Sequence, residues 1–111
     1  MGKEAAIAAI QEFGCNSAGS PLAFGATKYY MQLRKELAEY WQLKNVMIYS
    51  AGWLAGFGAI KGLVKEWDYV IMDRLSHNCL QEGANAATKN IIKFAHLDTD
   101  EMEQKLKKTR E

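Results

Sequence analysis

Polar and apolar positions along the chain follow a helical rhythm in the first third and a shorter, alternating rhythm afterwards. Ala6, Ile7, Ile10 and Phe13 recur at helical spacing, so Lys3–Phe13 is expected to be a short amphipathic helix ended by Gly14. Cys15–Thr27 holds Asn16, Ser17, Gly19, Ser20, Pro21 and Gly25, and is expected to be a loop. Such a loop can approach a phosphate or cofactor closely, or can be a plain linker. In Lys28–Gln42, Tyr30, Leu33, Leu37 and Trp41 lie three or four residues apart and predict a helix with one buried stripe. Tyr29 and Tyr40 join the same set of core aromatics.

From Val46 onwards, short apolar runs alternate with helical patterns. Strands are expected at Val46–Tyr49, Tyr69–Met72 and Ile91–Phe94, and helices at Trp53–Lys65, His77–Ala86 and Thr99–Lys108. Ser76 is the expected cap of the helix at His77, which reaches Gly83 and Ala86. Asp98 and Glu101 suit the first and fourth places of a capping box. Strands that alternate with helices predict right-handed βαβ units, hence an α/β fold with three parallel strands. Tyr69–Met72, four apolar or aromatic residues in a row, has the pattern of a strand buried on both faces.

Composition narrows the class without naming the chemistry. The 111 residues suffice for one small domain, and 49% hydrophobic with 24% charged residues describes a globular chain. A net charge of +1 gives no argument for nucleic acid or an anionic membrane surface. The basic residues Lys105, Lys107, Lys108 and Arg110 stand in the last turns of a helix, where cations favour the dipole. Cys15 and Cys79 fit no metal-ligand spacing, so free thiols in a reducing, cytoplasmic compartment are expected. Lys61, Lys65 and Glu66 interrupt the most apolar stretch, so no membrane span is expected. There is no secretory signal pattern at the N-terminus.

Two places offer chemistry. Ser50-Ala51-Gly52-Trp53 hands the first strand to a helix, whose free amides and positive dipole end suit a phosphate, with Gly52 allowing a close approach. The alternative is a tight turn in which a small residue serves packing. His77 stands where a parallel strand gives way to a helix, the edge of an open α/β sheet at which ligands bind. Asp73 is placed to share a hydrogen bond with His77, or His77 merely packs there. His96 is read as capping or packing. No HExxH, CxxC or GxSxG pattern occurs, and no metal site is expected.

The order of these residues resembles the α-oxoamine synthases, the family of 8-amino-7-oxononanoate synthase and serine palmitoyltransferase. They belong to the pyridoxal-phosphate enzymes of fold type I, the aminotransferase class I/II group. The resemblance is carried by Gly19-Ser20-Pro21-Leu22-Ala23-Phe24-Gly25-Ala26-Thr27, by Ala51-Gly52-Trp53, by Asp73, His77 and Gly83 at the family's spacing, and by Phe94-Ala95-His96-Leu97-Asp98. It extends from about Glu4 to Leu106. Pro21 stands where the family usually has arginine, Tyr30 where it has histidine, and Ala51 where it has serine.

The resemblance implies pyridoxal 5'-phosphate as cofactor, held through the backbone amides of Gly52 and Trp53, with His77 stacked on its ring as the catalytic histidine. It implies condensation of an amino acid with an acyl-CoA with loss of CO2, in a homodimer when complete. The family's pyridine-binding aspartate and Schiff-base lysine lie downstream of position 111. The expectation is therefore that residues 1–111 are the N-terminal portion of a large domain cut at both ends, inactive alone. A non-catalytic subunit or pseudo-enzyme that binds a partner, and an unrelated small nucleotide-binding module, are the two alternatives.

Overall fold

The computed structural model describes residues 2–110, which divide after Ile48 into two compact units. The first unit contains α1 (Gly2–Phe13) and α2 (Lys28–Tyr40). Gly14 ends α1 at φ 76°, a left-handed value that glycine takes without a Cβ penalty, and its N–H donates to the Ile10 carbonyl at 2.8 Å. Between the helices the loop folds on itself. Asn16 Oδ1 accepts from Ala18 N–H at 2.6 Å, and the Ser20 carbonyl accepts from the amides of Ala23, Phe24 and Gly25. Gly25 is buried with its Cα against the Gly19 carbonyl, so no side chain fits there. Thr27 caps α2 by accepting from Tyr30 N–H at 3.3 Å.

Glu12 ties the two helices together, pairing with Lys28 Nζ and accepting from the Tyr29 hydroxyl at 3.2 Å. The Phe13 ring meets Tyr29 edge-on at 5.7 Å. The expected buried stripe of α2 is only partly buried. Tyr30 and Leu37 are half-buried, whereas Leu33 is 47% and Trp41 64% exposed. Two helices and a loop provide too little covering surface for a four-residue stripe.

The second unit runs α3 (Gly52–Leu63), β1 (Val70–Asp73), α4 (Asn78–Ala87), β2 (Ile91–Phe94) and α5 (Thr99–Lys108). Strands β1 and β2 are parallel, with Val70 opposite Ile91 and Asp73 opposite Phe94, so β1–α4–β2 is a βαβ unit. The sheet has two strands rather than the expected three. Val46–Tyr49 is not helical but pairs with no strand among the described residues, and a strand exists only through a partner's backbone. Nor is β1 buried on both faces: Met72 is buried, Val70 and Ile71 are half-buried, and Tyr69 lies outside the strand and 59% exposed. In a two-stranded sheet each strand is an edge.

The core of this unit is small. Met72, Cys79, Ala84, Ala87 and Phe94 form it, and among the described residues no large side chain is fully buried. Buried Thr88 stitches it together: its hydroxyl lies 2.9 Å from the carbonyls of Glu66 and Asp68 and accepts from Asn90 N–H. Asp98 caps α5 as expected, accepting from Glu101 N–H at 2.8 Å. The reciprocal half of the capping box is absent, because Glu101 turns its carboxylate to Ala95 N–H and Lys105. Among the described residues no helix is long and apolar enough to cross a membrane.

Candidate functional site at the carboxyl ends of the strands

Both strands end at one edge, since they are parallel, and α4 begins at that edge directly after β1. Helix α3 runs the same way as α4. Gly56 of α3 lies against Cys79 and Leu80 of α4, and one turn further on Phe57 and Ile60 lie against Gly83. Residue numbers rise together on both helices, so their N-termini share an edge. The turn at Gly52, the cap at His77 and the ends of both strands therefore lie on one side of this unit, where open α/β sheets bind ligands.

At the start of α3, Ala51 is the N-cap and has no side chain able to cap. Its carbonyl accepts from Ala55 N–H at 3.0 Å. The amides of Gly52, Trp53 and Leu54 find no acceptor among the described residues. A Cβ at Gly52 would meet nothing within 4 Å, so the space before these amides is open. The Trp53 ring stacks on Phe57 at 5.3 Å and 13°, so its side chain lies along the helix. Free amides at the positive end of a helix, with room in front, fit an anion such as a phosphate group.

His77, not Ser76, is the N-cap of α4. Its Nδ1 accepts from Cys79 N–H at 3.2 Å and lies 2.9 Å from Cys79 Sγ. Since a backbone amide can only donate, Nδ1 is the acceptor, and the neutral ring carries its hydrogen on Nε2. The residue is exposed, and Nε2 has no partner among the described residues. The Ser76 carbonyl instead accepts from Gln81 Nε2 at 2.8 Å.

Asp73 does not bond to His77. Its carboxylate accepts from Leu75 N–H at 2.7 Å and Leu97 N–H at 3.1 Å, and meets His96 Nδ1 at 3.0 Å. The Leu75 amide, then the Leu97 amide, then His96 hold the Asp73 carboxyl below its usual range. The reason lies in the register: Asp73 stands opposite Phe94, two residues before His96, and Leu97 at φ 60° turns the chain back over the carboxylate. Sequence reasoning missed this pairing, and it also missed Cys79, a buried thiol beneath the His77 ring. Register is set by tertiary packing, so a single sequence carries no signal for the first. The i, i+2 spacing of His77 and Cys79 at a helix start was the available sign of the second.

Comparison with known proteins gives this geometry a family. A putative 8-amino-7-oxononanoate synthase of Trichodesmium erythraeum is 34% identical over 107 residues, covering 96% of this chain and 27% of that protein. A serine palmitoyltransferase of Caulobacter vibrioides is 30% identical over 104 residues, covering 94% of this chain and 26% of that protein. Among solved structures, a serine palmitoyltransferase from S. paucimobilis with a bound PLP–myriocin aldimine superposes with a TM-score of 0.88 at 25% identity. It covers 94% of this chain and 27% of that one. A Sphingomonas wittichii serine palmitoyltransferase gives a TM-score of 0.88 at 26% identity, over 94% of this chain and 26% of that one. The chain thus spans about a quarter of the length of these relatives, and an unrelated nucleotide-binding module is set aside. Residues 2–111 match the family model for aminotransferase class I and II, and the chain belongs to that family.

Proposed function

We propose that the protein is part of a pyridoxal-phosphate-dependent acyltransferase that condenses an amino acid with an acyl-CoA, with loss of CO2. The observation that carries the reading is one edge with three free amides at Gly52–Leu54 and an exposed imidazole at His77. Its support from outside the chain is the likeness to serine palmitoyltransferases and 8-amino-7-oxononanoate synthases. Gly52 and Trp53 hold the cofactor phosphate through their amides, and His77 lies over its ring and orients the amino acid. Bound pyridoxal phosphate supplies an electron sink for chemistry at the carbon beside the substrate nitrogen. Residues 1–111 form the N-terminal portion of the large domain and work in a cytoplasmic homodimer. Alone they are inactive, since the lysine and aspartate of the resembling family lie beyond them.

Gly52 offers a clean test. Because a Cβ there meets nothing, Gly52→Leu leaves the fold intact and fills the space before the amides. Pyridoxal-phosphate binding, followed by absorbance and by competition with inorganic phosphate, should weaken at least tenfold with an unchanged melting temperature, as loss of charge-assisted hydrogen bonds demands. Equal affinity in both proteins would overturn the phosphate assignment.

A further inference from the structure

We propose that Cys79 is a positioning residue for His77, holding the imidazole in the tautomer that keeps Nε2–H free. Three observations carry this. Sγ lies 2.9 Å from His77 Nδ1, on the same ring nitrogen that accepts the Cys79 amide at 3.2 Å. The thiol is buried, with the residue 6% exposed, so water does not compete for it. On α3 the sulfur faces Gly56, where a Cβ would come to 2.5 Å from Sγ, so the thiol holds this place only because position 56 carries no side chain. A buried thiol is a weak donor, and its one acceptor in reach among the described residues is Nδ1. Two donors on one nitrogen fix the proton on the other, because the tautomer follows the hydrogen bond its partner nitrogen makes. Gly56 is thereby part of the same device, and it ties the ring to the helix whose first amides are free.

The inference extends to turnover only on the reading that His77 faces the cofactor, so the experiment reads the ring itself. Nitrogen-15 spectra of the imidazoles, with His77 assigned through His77→Asn, give the tautomer ratio directly in the cofactor-free protein. The wild-type ring should be dominated by the Nε2–H form. Cys79→Ala should lower that ratio roughly fivefold, the worth of one hydrogen bond, and Cys79→Ser should restore most of it. Gly56→Ala, which pushes on Sγ, should act like Cys79→Ala. Combining Gly56→Ala with Cys79→Ala should fold better than Gly56→Ala alone, because the added methyl takes the space the sulfur leaves. Gly83→Ala strains the same helix pair one turn away from Cys79; it should lower the melting temperature and leave the His77 spectrum unchanged. An unchanged tautomer ratio in Cys79→Ala, or an equal change in Gly83→Ala, would overturn the proposal. Should Gly56→Ala not fold, the Ala and Ser variants at Cys79 decide it. Failure of the complete enzyme, wild type and variants alike, to bind pyridoxal phosphate would remove the cofactor reading and leave the positioning role standing.

Discussion

His77 caps α4 through Nδ1 and leaves Nε2 free, so two substitutions separate its structural contribution from its chemical one. His77→Asn keeps a capping acceptor and removes the ring; His77→Ala removes both. The Asn variant should melt close to wild type, whereas the Ala variant should lose about 1 kcal/mol, the usual cost of a lost N-cap. If the ring orients substrate, both should slow the condensation on the order of a hundredfold in the complete enzyme. Normal turnover in the Asn variant would leave His77 purely structural. Asp73 carries a different test. Its pKa is depressed in the folded state, so its contribution is fully present above the unfolded value of about 4 and is lost as pH falls through the lower folded value. Asp73→Asn should therefore reduce the melting temperature at pH 7 and flatten its fall below pH 4; an unaltered acid limb in thermal melts would contradict the assignment. Legible in the sequence was the position of His77 after a strand. What hid the Asp73–His96 pair is that it joins residues 23 apart through a strand register.

The α3–α4 pair shows what a helix pattern can and cannot reveal. Glycines 52, 56, 58, 62 and 83 look alike in sequence, yet their surroundings differ. At Gly83 a Cβ would lie 3.0 Å from the Phe57 carbonyl oxygen and 3.1 Å from Phe57 Cα, backbone atoms that cannot move aside. Gly83→Ala should cost about 1–3 kcal/mol, the range for overpacking a tight seam. At Gly62 a Cβ would meet nothing, and the residue sits in the last turn of α3, so Gly62→Ala should stabilise by about 0.5–1 kcal/mol through helix propensity. Chemical denaturation of the two variants should give opposite signs; the same sign would mean the helices are not packed as described. The element boundaries themselves were legible to within one or two residues, because periodicity and caps such as Asp98 are local. Val46–Tyr49 was not, since its apolar run gives no account of which neighbour it pairs with.

At the scale of the molecule the apolar surface is the dominant fact. Leu63, Trp67 and Tyr69 of the second unit are 79%, 69% and 59% exposed, while its buried core holds a single aromatic ring, Phe94. In the first unit Tyr40 and Trp41 are 77% and 64% exposed. Indole and phenol rings in water forgo about 25 cal/mol for each Å² of apolar area that a partner would cover. The chain spans about a quarter of its relatives' length, and those relatives' remaining residues are one source of such cover; a second copy is another. Residues 1–111 on their own should therefore associate at micromolar concentration and bind a hydrophobic dye strongly. They should also release no CoA from acyl-CoA in the presence of pyridoxal phosphate and glycine, alanine or serine. The two measurements bear on different claims. A compact, dye-silent monomer by light scattering would show that the exposed rings find cover within the chain and would refute the first. Turnover above the cofactor-only control would show that one of the lysines present serves the cofactor, and the reading of these residues as an inactive portion of a larger active site would fall with it.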